Sequence, residues 1–366
     1  LGLLVWQDMP NGDRHIRGDD PDLERTRESA EQFEKELTNV IRAFYNHPSI
    51  VMWVPFNEGW GQYDTARIVE RVEKLDPTRL VNNASGWTDR GVGDVHDIHS
   101  YPGPSAPAVE EDRAAVLGEF GGLGLPISGH TWQDERNWGY RSYESREELT
   151  DAYLALIRNL RPLIGGGLAA AVYTQTTDVE IEVNGLMTYD RAIMKMDVEK
   201  IRAAAEKLYL PPPIVKVIVP SSREKGLVWR YTTVDPGEGW QAPDFDDTEW
   251  EIGKGGFGTD GTPGAVVRTE WAKPDIWLRR DFDVADNSFA EPSLLIHHDE
   301  DAEVYINGQL VADLEGYTTD YVQIPLDEKA KAALKSGINQ IAVHCHQTGG
   351  GQYIDVGLVE LIEQDQ

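Results

Sequence analysis

The chain has 366 residues, of which 40% are hydrophobic. That is enough for two or three domains of roughly 100–200 residues, each with a proper core, and it excludes a disordered chain. Sixty-three acidic against 34 basic residues give a formal net charge of −29, a field that repels nucleic acid and anionic membrane surfaces. Cys345 is the single cysteine, so no internal disulfide can form. In "AVHCH" it reads as a small core residue. No apolar run approaches the roughly 20 residues that span a bilayer.

In chain order, Leu1–Trp6 reads as a buried strand. Phe33, Leu37, Val40, Ile41 and Phe44 recur at helical spacing, and Ile50–Asn57 is a second apolar run. Ile68, Val72 and Leu75 mark the next helix, followed by strand-like runs at Arg79–Asn83, Val95–His99 and Ala114–Glu119. Leu149, Leu156 and Leu160 lie on a later helix, Leu168–Thr174 is a sixth strand, and Asp197–Leu208 is again helical. Continuous apolar strands separated by helices imply a parallel sheet covered by helices, either doubly wound or a (β/α)8 barrel.

The polar residues choose between the two. Asp8, Asn57, Glu58, His99, Tyr101, Glu119 and Gln175 all fall at or just past the C-terminal end of a strand. A barrel gathers those ends into one ring, where its active site forms, whereas an open sheet spreads them along a line. No Gly-rich phosphate loop follows the first strand. The expectation is a TIM barrel over residues 1–210.

Pro211-Pro212-Pro213 breaks the last helix and opens a linker over 211–219. From 220 to 366 the pattern turns to short alternating strands: Leu227–Thr232, Ile276–Phe282, Ser293–His297, Glu303–Ile306 and Ile338–His344. Asn307-Gly308 is a tight-turn signal between two of them. The pattern predicts a β-sandwich of jelly-roll type.

Glycosidic cleavage needs a carboxylic acid to protonate the departing oxygen, and the strand in "HPSIVMWVPFNEGWGQYDT" delivers Glu58 into the ring of strand ends. Beside it, the Asn57 amide can hydrogen-bond a sugar hydroxyl. Glu119 in "AAVLGEFGG" is the second strand-end carboxylate. A retaining mechanism needs two carboxyl groups about 5–5.5 Å apart. One must stay protonated near neutral pH while the other stays ionised, so their surroundings must differ.

Taken together, "LGLLVWQDMP", "NHPSIVMWVPFNEGWG", "DIHSYPGP", "VLGEFGG" and "YTQTTDVEIEVNGLMTYD" resemble family 2 of the glycoside hydrolases, the β-galactosidase, β-glucuronidase and β-mannosidase family. The resemblance runs from residue 1 to about 210. It implies that Glu58 is the acid/base, Glu119 the nucleophile, Asn57 the contact to the sugar 2-hydroxyl and Tyr101 the tyrosine bonded to the nucleophile. It implies exo-acting, β-galactosidase-like hydrolysis of a carbohydrate (an oligo- or polysaccharide), with an endo-acting clan relative or a catalytically silent carbohydrate-binding scaffold as alternatives. A periplasmic or extracellular location also fits the resemblance, and a homo-oligomer is left open. Leu1–Trp6 corresponds to the third barrel strand, so the expectation is a fragment with six barrel strands and with further N-terminal domains in a longer polypeptide. The C-terminal phrases "DIWLRRDFDV" and "DEDAEVYINGQLVA" resemble galactose-binding-like domains.

His99 and Asp8 are further candidates to line a sugar pocket, Trp60 and Trp87 to form an aromatic platform, and Gln175 and Asp178 to contact a hydroxyl. His96, Asp94, Asp97 and His99 are expected to point in different directions and to form no metal site. His297 and His298, or His344 and His346, read as solvent-facing or locally bonded rather than as ligands. Asp299-Glu300-Asp301 reads as an exposed acidic turn rather than a calcium site. Trp240, Trp250, Trp271 and Trp277 are expected to be structural. No cofactor and no metal are expected.

Overall fold

The computed structural model describes residues 2–18 and 20–364. The chain folds as two compact units. One comprises Leu1–Leu154 and Gly166–Ile201, the other Ala155–Gly165 and Arg202–Gln366.

The first unit alternates strands and helices: β1 (Val5–Asp8), α1 (Arg27–Phe44), β2 (Ile50–Val54), α2 (Thr65–Leu75), β3 (Leu80–Val81), β4 (Val95–Ser100) and β5 (Ala114–Gly121). The short pair β6 (Leu123–Gly124) and β7 (Arg141–Ser142) follows, then α3 (Arg146–Gly165), whose residues from Ala155 count with the second unit, β8 (Leu168–Thr174) and α4 (Val198–Glu206), whose residues from Arg202 do so too. Thr26 caps α1 by accepting from the Ser29 N–H, and Phe33, Leu37 and Ile41 make its buried stripe. That stripe meets Ile68, Val69 and Val72 of α2 and Trp53 of β2 in one apolar cluster. Met52 of the same strand instead joins Val95 of β4 and Val116 of β5, with Trp6 and Ala170 packed against them. A strand buried on both faces reads as a continuous apolar run, which is why these strands are visible in the sequence.

All strand pairs in β1-β2-β3 and in β4-β5-β8 are parallel, and each set forms its own three-stranded sheet. The single continuous sheet expected from the sequence is therefore interrupted between β3 and β4. The reason is local: the Asp94 carboxylate accepts the Val81 N–H at 2.7 Å, and the Asp94 N–H donates to Val81 O. These bonds consume the groups that would otherwise extend the ladder. The first strand also starts later than expected. Leu3 and Leu4 are 70% and 75% exposed, because the partner strand β2 begins only at Ile50, opposite Val5. Leu1 lies outside the described residues. No helix among the described residues is long and apolar enough to cross a membrane.

In the second unit, residues 211–219, expected as a linker, contain strand β9 (Ile214–Val219). It is followed by β10 (Val228–Thr232), β11 (Glu251–Lys254), β12 (Phe257–Gly258), β13 (Thr269–Glu270), β14 (Asp275–Val284), β15 (Pro292–Asp299), β16 (Asp301–Ile306) and β17 (Gln309–Leu314). The remaining elements are β18 (Val322–Pro325), α5 (Glu328–Ala333), β19 (Gly337–His346) and β20 (Tyr353–Ile362). One sheet runs β11-β10-β14-β19-β16-β17 and the other β13-β12-β20-β15-β18, with β9 pairing on β20. Ile276, Val304 and Val343 from the first sheet share one cluster with Phe257, Ile296 and Leu358 from the second. Asn307 and Gly308 both have positive φ, as a two-residue hairpin turn requires.

Four sequence expectations in this unit are resolved by burial. Trp271 and Trp277 are buried, while Trp240 and Trp250 are partly covered. His297 and His298 are buried rather than solvent-facing, bonded to the backbone oxygens of Thr318 and Glu300. His344 and His346 both reach Asp275. Asp299 is only 6% exposed, so the expected exposed acidic turn is instead anchored in the end of β15.

Candidate active site

Pro55 lacks an N–H and ends the β2 ladder. The chain then re-pairs through a parallel bridge between Asn57 and Ser85, in which the Ser85 N–H donates to Phe56 O and the Glu58 N–H to Ser85 O, both at 2.9 Å. Glu58 itself has φ 52°, a left-handed conformation costly for a residue with a Cβ and concentrated at functional positions. His15 holds it there by donating from Nε2 to Glu58 O at 2.7 Å. Gly59 follows because a Cβ there would lie 2.4 Å from Ile16 O. The "NEGWG" run is thus a tight loop docked against residues 11–17.

Opposite it, β4 supplies His99, the residue just after β4 is Tyr101, and β5 supplies Glu119. The His99 ring is fully buried, and its Nδ1 lies 2.9 Å from Glu58 Oε1 and 3.5 Å from Glu119 Oε2. Tyr101 donates its hydroxyl hydrogen to Glu119 Oε2 and is bonded to Thr174 Oγ1 at 3.0 Å. Ligand atoms of Glu58, His99 and Glu119 all lie within 4.8 Å of one another. Among the described residues this is the only trio of His, Cys, Asp or Glu spaced to hold a metal ion, and its atoms are here engaged with each other.

Burial raises the Glu119 carboxyl above its ordinary range, and the charges of Glu58 and Asp8 add to this, while His99 and the Tyr101 hydrogen bond oppose it. Burial alone would lower His99, but its bond to Glu58 and the charges of Glu119, Asp97 and Glu58 outweigh that and raise it. Burial also raises the Tyr101 hydroxyl, so it stays protonated and remains a donor. Asp8 keeps surface open to solvent, yet protein crowds its carboxyl and pushes its pKa up to about 6, His99 opposing and Asp97 adding.

The other sequence candidates divide. Asn57 Oδ1 is buried and has no hydrogen-bond partner among the described residues, an acceptor suited to a ligand donor. Trp87 is 46% exposed with its ring centroid 6.3 Å from that of His99. Trp60, also exposed, packs on His15 instead. Gln175 is tied to Asn184, its Nε2 2.7 Å from Asn184 Oδ1. Asp178 turns away into a buried ion pair with Lys195.

Asp97 and His99 do not diverge as the sequence suggested: both meet Ser85 Oγ, at 2.7 and 2.8 Å. A register shift between Ile98 and His99 accompanies the convergence. His96 does turn elsewhere, to Glu110 at 2.8 Å, and Asp94 to Val81. Sequence reasoning missed Ser85, although it lies just past a strand-like run. It also missed Tyr140, whose ring lies flat on Tyr101 at 3.7 Å, and its neighbour Trp138. No pattern in the loop that carries them marks either residue.

Residues 5–111 match the family model described as "Glycosyl hydrolases family 2, TIM barrel domain". Over that segment the chain is similar to glycosyl hydrolase family 2. The family 2 segment ends before Glu119, so the first carboxylate, His99 and Tyr101 fall within the match. No curated protein matches the chain. Solved structures similar to this chain include a β-glycosidase from Bacteroides vulgatus, at 18% identity and TM-score 0.26, covering 40% of this chain and 20% of that one. A β-glucuronidase from glycoside hydrolase family 2 has 16% identity and TM-score 0.28, with 40% and 18% covered. A β-glucuronidase from Ruminococcus gnavus in complex with uronic isofagomine has 13% identity and TM-score 0.29, with 41% and 29% covered. The chain thus spans less than a third of the length of each.

Proposed function

We propose that this chain carries the catalytic pair of a retaining β-glycosidase, with Glu58 as acid/base and Glu119 as nucleophile. The observation that carries the reading is the placement of the two carboxylates within 4.8 Å across His99, close to the separation of about 5–5.5 Å that double displacement uses. Glu119 attacks the anomeric carbon as Glu58 protonates the leaving oxygen. Glu58 then takes a proton from water as that water displaces Glu119. The Tyr101 donor holds the nucleophilic carboxylate and disperses its charge until attack. The unpartnered Asn57 acceptor is suited to a sugar hydroxyl, and Trp87 and Tyr140 offer apolar faces beside the pair.

In this reading the two three-stranded parallel sheets are parts of one (β/α)8 barrel, and the second unit is a galactose-binding-like jelly roll. Exo-acting, β-galactosidase-like cleavage of a neutral sugar is favoured over a glucuronide. The charges that act most strongly on Asp8, His99 and Glu119 are those of Asp8, Glu58, Asp97, Glu119 and His99. None comes from lysine or arginine, so a uronate carboxylate would meet mainly like charge.

A panel of aryl β-glycosides assayed with the purified protein tests this. Turnover is expected with one or two neutral sugars, falling about 10²–10⁴-fold in Glu58→Ala and at least as far in Glu119→Ala, and a 2-fluoro-sugar is expected to label Glu119. Wild-type turnover in both variants, or a label on another residue, would overturn the assignment. Sugar binding without turnover on any substrate would instead identify a silent scaffold.

A further inference from the structure

The proton arrangement behind Glu58 can be counted atom by atom. Ser85 has one hydroxyl hydrogen and two candidate neighbours, Asp97 Oδ2 at 2.7 Å and His99 Nε2 at 2.8 Å. The Asp97 carboxylate already accepts from Asn82 Nδ2 at 2.7 Å and from the Gly118 N–H at 2.6 Å, so every donor around it points inward. A carboxylate in that setting only accepts, and it takes the Ser85 hydrogen. Ser85 Oγ is left with lone pairs alone, so His99 Nε2 must carry a hydrogen. Nδ1 then faces Glu58 Oε1 at 2.9 Å.

Two forms satisfy that contact. Either a neutral ring accepts a hydrogen from protonated Glu58, or an imidazolium donates to the Glu58 carboxylate. In both, one proton sits between the two residues. We propose that Asp97 and Ser85 are positioning residues that lock His99 in the Nε2–H form, so that the proton shared by Glu58 and His99 is held to higher pH than it would be beside a ring free to turn over. This rests on the reading of Glu58 as acid/base given above.

The lock works through what happens when that proton leaves. With Nε2–H fixed, deprotonation sets the bare Nδ1 lone pair against the Glu58 carboxylate, an unfavourable arrangement that resists proton loss. A ring free to turn over to Nδ1–H would instead donate to the carboxylate and make loss easy. The other titratable groups facing the pair are Asp8 from β1, Asp97 from β4, Tyr101 just after β4, and Glu119 from β5. The carboxylates among them, when charged, favour keeping the proton, so they act in the same direction. In the first step the proton passes from the pair to the glycosidic oxygen as the bond to the anomeric carbon breaks and Glu119 bonds to it. In the second, water gives a proton back to the pair, its oxygen bonds to the anomeric carbon, and the Glu119 ester bond breaks. The pair ends as it began.

The test combines an activity readout with one that needs no turnover. In ¹⁵N-histidine-labelled protein titrated upward in pH, the His99 ring is expected to keep its hydrogen on Nε2 after the pair deprotonates. Ser85→Ala is expected to move it to Nδ1, and Ser85→Thr to return it to Nε2. The basic limb of kcat/KM should move down by about one pH unit in Ser85→Ala and recover in Ser85→Thr. A neutral wild-type ring with its hydrogen on Nδ1 overturns the proposal even if no variant folds. So does an unmoved basic limb in a Ser85→Ala protein with wild-type thermal unfolding. Failure of the acid/base reading has a different signature, wild-type turnover in Glu58→Ala, whatever the ring tautomer.

Discussion

The Tyr101 hydroxyl donates to Glu119 Oε2 while its ring lies parallel to Tyr140, at an interplanar angle of 2°. One side chain thus holds the carboxylate, and a second holds that side chain. Tyr101→Phe keeps the stacked ring and removes only the donor. A hydrogen bond to a charged group contributes about 1.5–3 kcal/mol, so kcat/KM is expected to fall about 10- to 100-fold. The bond lowers the Glu119 pKa, and without it the carboxyl titrates higher. The acid limb of the pH–rate profile therefore moves to higher pH. An unmoved acid limb would show that the hydroxyl exerts no hold on the nucleophile.

Asp8 gives a prediction on stability. Its folded pKa of about 6 lies above the ordinary aspartate value of 3.8, so between those values the folded state binds the extra proton. Stability is lost as pH rises through that window, and above it the cost of an ionised, crowded carboxylate is fully present. Asp8→Asn should raise the thermal midpoint relative to wild type at pH 7.5 and leave it nearly unchanged at pH 4. The reverse order at the two pH values would place Asp8 in a stabilising ion pair instead.

Lys195 has a fully buried side chain, its Nζ 2.6 Å from Asp178 Oδ1, 2.8 Å from Val183 O and 3.1 Å from Leu125 O. Lys195→Met leaves the Asp178 carboxylate buried without its cation, which costs about 3–5 kcal/mol. Urea unfolding should register that loss, and the double variant with Asp178→Asn should recover part of it. A loss below about 1 kcal/mol would mean that water reaches Asp178 in the variant.

In the second unit His297 is fully buried, and burial pulls its pKa down to about 4, with the charge of His298 adding. The unfolded chain binds a proton near 6.5 that the folded one refuses. Stability is therefore present above about pH 6.5 and lost as pH falls toward 4, by about 3 kcal/mol over the window. In His297→Gln, denaturation midpoints measured at pH 7.5 and 4.5 should differ by less than in wild type. Equal differences would mean that the ring is not held neutral.

The sequence displays those features that depend on one strand at a time. β2 and β5 could be read because their apolar runs are buried along nearly their whole length. Glu58, His99, Tyr101 and Glu119 could be read because each terminates or follows such a run. What escaped depends on contacts between loops. The interruption between β3 and β4 hangs on one carboxylate, Asp94, capping one amide. The meeting of Asp97 with His99 hangs on Ser85, brought in by its backbone bridge to Asn57. It also needs Gly118, where a Cβ would sit 2.2 Å from Asp97 Oδ2. Periodicity carries no record of such approaches, since they involve residues many positions apart with no apolar signature.

Cys345 is the single cysteine of the chain and lies fully buried in β19, between Ile276 of β14 and Ala302 of β16. Burial raises its thiol far above the ordinary value, and the carboxylates around it add to this. A thiol reagent therefore has one target, reachable only in the moments when the central strand lets go of its neighbours. The rate at which an alkylating dye attaches becomes a clock for opening of the second unit alone, with no tag or engineered residue to install.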